Sequence, residues 1–131
     1  MTIKTISVLI DKEMKSVVMD YDEHPPTIRI TTENGQTKKF TGQDVYECLG
    51  KILKDMPEAK FLCKGAKLNV RPSSMSSQMT SGIMAYEHTL GSRITRKNLV
   101  NIFDYDDQDI INDPQMQTDF FFLWLKSIKQ P

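Results

Sequence analysis

Residues 27–57 read TIRITTENGQTKKFTGQDVYECLGKILKDMP, and two different apolar periods meet within them. Thr27 to Thr32 (TIRITT) and Thr37 to Thr41 (TKKFT) flank Glu33-Asn34-Gly35-Gln36. Asn-Gly tolerates positive φ at both central positions of a tight turn, so the two segments are predicted to form a β-hairpin. The period then changes. Val45, Cys48, Leu49, Ile52, Leu53 and Met56 recur at intervals of three and four, the spacing of one helical face, and Pro57 stops the run. Thr41, with Asp44 three residues on, is an approximate capping box for this helix. A hairpin that feeds an amphipathic helix needs a sheet face to cover, which points to an α+β domain.

The same reading extends in both directions. Ile3, Ile6, Val8 and Ile10 mostly alternate, as in a half-buried strand, and Met14 to Tyr21 continues as a second strand. His24-Pro25-Pro26 breaks it, because a proline cannot donate to a ladder. Downstream, Lys60 to Val70 reads as a strand with Gly65 as a bulge. Arg71-Pro72-Ser73-Ser74 looks like a helix start, with Met75, Met79, Ile83 and Tyr86 to one side. Leu99 to Phe103 is a short apolar strand, and Asp113-Pro114 is an N-cap followed by proline at the first helical position. Met116, Phe120, Leu123, Trp124 and Ile128 then mark a final helix. Its run Phe120 to Leu125 is apolar on every side, so the helix must be buried on several faces or meet a partner, and burial in the domain's own core is the expected outcome. The expected architecture is one α+β domain over residues 1–131, mainly an antiparallel sheet with about three helices packed on it. Leu49, Ile52, Phe61, Val100, Ile102, Leu123 and Trp124 are the predicted core.

A chain of 131 residues buries roughly two-thirds of its unfolded surface, enough for one core without staples. Cys48 and Cys63 sit among apolar neighbours and read as small buried hydrophobes, not as a disulfide framework. The apolar run before Asp11 and Lys12 is too short for a signal peptide or a membrane span, so the expected location is the cytoplasm. Net charge is zero but unevenly spread. Residues 51–97 carry nine Lys or Arg against three acids, whereas residues 98–125 carry six aspartates and no Lys or Arg. Either the two blocks neutralise one another within the fold or they make a dipolar surface that selects partners.

Catalytic constellations are thin. His24 and His88 are the two histidines, read as a loop residue and a surface residue near a strand edge, and neither H-E-x-x-H nor paired C-x-x-C occurs. Asp104 to Asp109 suggests a calcium loop, but the sixth position is Asp109 where glycine is needed and the twelfth is Gln115 where a bidentate Glu is needed. Glu58-Ala59-Lys60 with Asp20 or Asp22 fits the permissive acid…E-x-K pattern of metal-dependent nucleases, and this is the enzymatic alternative. Phosphate-binding glycine loops and nucleophile elbows are missing, and aromatic residues do not interleave with the basic block. The serines of Ser73 to Ser77 either cap a helix or present it to an anion beside Arg71. The expectation is therefore a binding module with no metal, cofactor or direct nucleic-acid contact. Its candidate partner-binding residues are Asp104, Asp106, Asp107 and Asp109, an acidic run between a strand and a helix.

Residues 60–104 resemble a block found in small bacterial proteins. It comprises Phe61-Leu62-Cys63-Lys64-Gly65-Ala66-Lys67-Leu68-Asn69-Val70-Arg71-Pro72-Ser73-Ser74-Met75 with Gln78-Met79, then Ala85-Tyr86, Leu90-Gly91 and Val100-Asn101-Ile102-Phe103-Asp104. In this it is similar to immunity proteins of polymorphic toxin systems, including contact-dependent growth inhibition. The resemblance implies a small cytoplasmic, non-enzymatic protein that blocks the C-terminal domain of a cognate toxin, often a nuclease with a basic cleft. A regulatory adaptor with a different partner is the competing class. The resemblance transfers no binding residues.

Overall fold

In a computed structural model, residues 1–129 are described and form one α+β domain. Strands β1 (Thr2–Ile10), β2 (Glu13–Glu23), β3 (Pro26–Thr31) and β4 (Thr37–Thr41) follow one another as an antiparallel meander. The β1–β2 hairpin turns on Asp11 and Lys12, both at positive φ, which gives the twist a two-residue hairpin requires. The predicted Asn34-Gly35 turn is present, with Gly35 at φ +83° and its N–H donating to the Thr32 carbonyl. β5 (Ala59–Phe61) pairs with the far side of β1, giving a sheet ordered β4-β3-β2-β1-β5.

Helix α1 (Val45–Asp55) covers one sheet face. Its stripe of Val45, Cys48, Leu49, Ile52 and Leu53 is buried against Val8, Val17, Met19, Ile28 and Ile30. The cap differs from expectation. Asp44 itself is the N-cap, its carboxylate accepting from Glu47 N–H at 2.7 Å, while Glu47 reaches back to the Gln43 N–H. Thr41 remains in β4. The cap thus lies three residues beyond Thr41: Asp44 satisfies one orphan donor of the first turn, and Glu47 holds the preceding residue Gln43 in place.

The expected strand from Lys60 to Val70 is not continuous. β5 ends at Phe61, a 3₁₀ turn occupies Lys64–Ala66, and β6 (Val70–Arg71) belongs to a second sheet. Gly65 is the reason. A Cβ there would lie 2.5 Å from Leu49 Cδ2 and 2.8 Å from Ile102 Cβ, and its N–H donates to the Ile102 carbonyl at 2.8 Å. The glycine is needed for close approach of backbone to core, not for a bulge.

α2 (Ser74–Thr80) is shorter than expected, because Ser81 and Gly82 both take positive φ and stop it. Met75 and Met79 are exposed, Ile83 is buried beyond the helix, and Tyr86 lies in β7 (Met84–Glu87). β7 pairs with β6 and with β8 (Leu99–Asn101), completing a three-stranded antiparallel sheet. α3 (Pro114–Ile128) starts at Asp113 as predicted.

Leu49, Ile52, Phe61, Ile102 and Trp124 are buried as predicted, and Val100 is half-buried. Leu123 is not buried: it is 52% exposed, and Met116 and Phe122 are exposed too. The inward face of α3 is centred on Gln117, 3% exposed, which donates to the carbonyls of Gly65 and Lys67 at 2.9 Å each. A polar side chain at the centre of the buried stripe hid the true face from the apolar pattern. Cys48 and Cys63 are free and buried, and burial pushes their thiols up to about 11 and about 12.

Candidate partner-binding surface

After β8 the chain must leave a core strand and reach the start of α3, and it does so along the segment 62–68. Asn101 begins the turn by accepting from the N–H of Phe103 through its side chain and from that of Asp104 through its carbonyl. Ile102 and Phe103 are buried, the Phe103 ring stacked 5.0 Å from Tyr21. Lys64 N–H then donates to the Asp104 carbonyl, Leu68 N–H to that of Asp109, and Ile111 N–H to that of Ala66. Asp109 takes φ +58°, a left-handed conformation that Asp tolerates better than most residues, and this turns the chain back toward Leu68.

The four candidate aspartates divide into two kinds. Asp106 points inward. Its Oδ2 accepts from Lys67 Nζ at 2.8 Å and Lys64 Nζ at 3.0 Å, and its Oδ1 from the Gln108 N–H at 2.9 Å. Lys64 also pairs with Glu87 at 2.9 Å. Burial alone would raise the Asp106 carboxyl, but these hydrogen bonds outweigh it and hold the group well below the usual carboxylate range. Part of the basic block therefore neutralises part of the acidic block, through contacts 39 and 42 residues apart in sequence. Asp104, Asp107 and Asp109 remain exposed, with no ion pair among the described residues.

Tyr105 stands between them, 57% exposed. Beside it a hollow of about 420 Å³ opens, floored by Leu9, Leu62 and Ile110 and edged by Asp107, Asp109 and Lys60. Sequence reasoning passed over Tyr105, although an aromatic inside an acidic run was there to be seen. The apolar floor was not legible, because Leu9, Leu62 and Ile110 come from three separate segments.

Other singled-out residues lie elsewhere. Glu58 and Lys60 are exposed near β5, while Asp20 and Asp22 are held by Arg29 at 2.6 and 2.8 Å. Asp20 pairs with Ile3 and Lys60 with Leu9, so six residues of β1, roughly 20 Å of strand, separate the two halves of the acid…E-x-K pattern. The fold does not bring them together. His24 is exposed in the β2–β3 turn. His88 is not a surface residue: it is 5% exposed, bonded to the Asn69 carbonyl and edge-on to Trp124 at 4.4 Å. The serines at the start of α2 cap it, Ser73 and Ser76 exchanging side-chain and backbone bonds while Ser77 donates to Asp44.

Among the described residues no helix is long and apolar enough to cross a membrane, and no three His, Cys, Asp or Glu side chains converge on a metal-sized site. No protein-family model matches the chain, and no curated protein matches its sequence. Fold and surface by themselves define an α+β domain with a pinned acidic loop beside an apolar hollow.

Proposed function

We propose that this domain works by binding a basic protein surface through residues 104–110, and that it is a toxin-neutralising immunity protein acting in the cytoplasm. The observation that carries this reading is the pinned loop: exposed Asp104, Asp107 and Asp109 around exposed Tyr105, over a backbone tied to residues 62–68. A loop already ordered loses little conformational freedom on binding. Tyr105 supplies a rigid aromatic anchor of the kind that dominates interface energetics. The hollow suits the aliphatic stem of a partner's Lys or Arg, whose charged head then meets Asp107 or Asp109. A toxin nuclease, whose cleft is basic because its substrate is a polyphosphate, offers such side chains, and the carboxylates would occupy it as stand-ins for phosphate.

Where a toxin gene adjoins this one, co-expression with the C-terminal domain it encodes tests the reading. Growth should be rescued by the wild type and lost with Asp107→Lys/Asp109→Lys at equal folded protein. Rescue undiminished by that double variant would remove the acidic face from the mechanism. Binding without any rescue would mark a regulatory adaptor instead.

A further inference from the structure

A second concavity, of about 970 Å³, opens between α1, the start of α2 and the inner face of α3, and shares no lining residue with the hollow beside Asp107. Its chemistry differs. Arg71, half-buried at the end of β6, lies with its guanidinium 4.8 Å over the Phe121 ring and makes one long hydrogen bond, 3.4 Å, to Thr118 Oγ1. No carboxylate pairs with it among the described residues, whereas Arg29, Lys64 and Lys67 all have carboxylate partners. The acids in this groove are otherwise engaged: Asp44 accepts from Glu47 N–H and Ser77 Oγ, and Glu47 accepts from Gln43 N–H. A guanidinium has five N–H donors, and holding it half-buried with one weak bond leaves most of them for an incoming anion.

The acceptors beside it point the same way. Gln117 Nε2 must face the two carbonyls it serves, which fixes the amide and leaves Oε1 as an acceptor with no donor among the described residues. His88 bonds a carbonyl through Nδ1, so the proton sits there and Nε2 is left as an acceptor. Burial, reinforced by Arg71 and opposed by the Asn69 carbonyl, lowers the pKa of His88 and keeps the ring neutral. Phe121, beneath the Arg71 guanidinium, and Trp124, 5.8 Å from it, give the groove an aromatic lining. The groove thus offers a cation, two hydrogen-bond acceptors and an aromatic lining, in a volume typical of small-molecule sites.

We propose that this groove binds a small anionic heteroaromatic compound of the nucleoside monophosphate class. Arg71 takes the anion, the ring lies within the aromatic lining, and ring N–H donors meet Gln117 and His88. Each element alone is common. A ring with N–H donors and an attached phosphate uses all of them at once.

The chain has one tryptophan, Trp124, which lines the groove and donates its indole N–H to the Ser92 carbonyl, so its single indole resonance reports on changes in the groove wall. The four nucleoside monophosphates, their nucleosides and inorganic phosphate are titrated into full-length protein while that resonance is followed. At least one nucleotide should saturate the shift about tenfold more tightly than its nucleoside or phosphate alone. Arg71→Ala should weaken that nucleotide by about tenfold or more, with little change for the nucleoside, while Asp107→Lys/Asp109→Lys leaves binding intact. No saturable shift with any nucleotide at millimolar concentration would overturn the proposal, as would binding indifferent to the phosphate. The wild-type comparison decides the matter even where Arg71→Ala fails to fold.

Discussion

Lys67 Nζ lies 2.8 Å from Asp106 Oδ2, and the lysine side chain is only 9% exposed. Removing the carboxylate would strand a buried ammonium whose other acid, Glu87, is 3.8 Å away. Asp106→Asn should therefore cost about 2–3 kcal/mol, less than a fully buried pair because Asp106 keeps some solvent contact. Lys67→Met with Asp106→Leu should recover much of that loss, since a matched apolar pair leaves nothing uncompensated. Urea unfolding of the wild type, both single variants and the double variant measures the coupling, and additive losses would show that the pair does not act as a unit.

Acid should destabilise the fold in two windows. The pKa of His88 is lowered in the folded state, so its contribution is complete above the unfolded value, about 6.5, and declines as pH falls below it. Asp106 is also depressed. Its contribution is complete above the unfolded carboxylate value of about 3.9 and is lost as pH falls through the lower folded value. Urea midpoints measured from about pH 7.5 down to about pH 2.5 should trace both declines. Asp106→Asn should flatten only the second. A midpoint that does not move with pH would show that neither group is held as described.

The corrected core can be weighed residue by residue. Leu49→Ala or Ile52→Ala empties space in a fully buried stripe and should cost about 2–5 kcal/mol. Leu123→Ala removes a half-solvated side chain and should change stability by less than about 1 kcal/mol. Thermal unfolding of the three variants suffices, and a Leu123→Ala loss equal to that of Leu49→Ala would contradict the orientation of α3.

If the acidic loop meets a basic partner, charge reversal should act chiefly on encounter. Asp107→Lys/Asp109→Lys should slow association about tenfold or more at low salt and flatten its salt dependence. Stopped-flow association with the toxin domain at two ionic strengths reads both quantities. Equal rates and slopes for wild type and variant would place the interface elsewhere.

The hairpin around Asn34-Gly35, the α1 stripe and the Asp113-Pro114 start of α3 were legible in sequence because each is set by residues within one or two turns of chain. What stayed hidden depends on distant contacts. Gly65 looked like a bulge, since nothing nearby reveals that Leu49 and Ile102 press against it. Gln117 fell outside the apolar pattern, and its acceptors belong to residues 50 and 52 positions earlier. The aspartate run was readable as a loop, but not the inward turn of Asp106, because Lys64 and Lys67 lie in the opposite charge block. The hollow beside Tyr105 needed the loop to be placed against β1.

The ends of the large sheet have a consequence for how the protein behaves in a crowd. Its two outer strands are β4 and β5, and an outer strand offers unsatisfied backbone groups to any passing chain. β4 carries exposed Lys38 and Lys39, so a second copy laid alongside would confront lysines with lysines. β5 is three residues long and offers little to template on. Both borders thus discourage fibril-like stacking between copies of the chain.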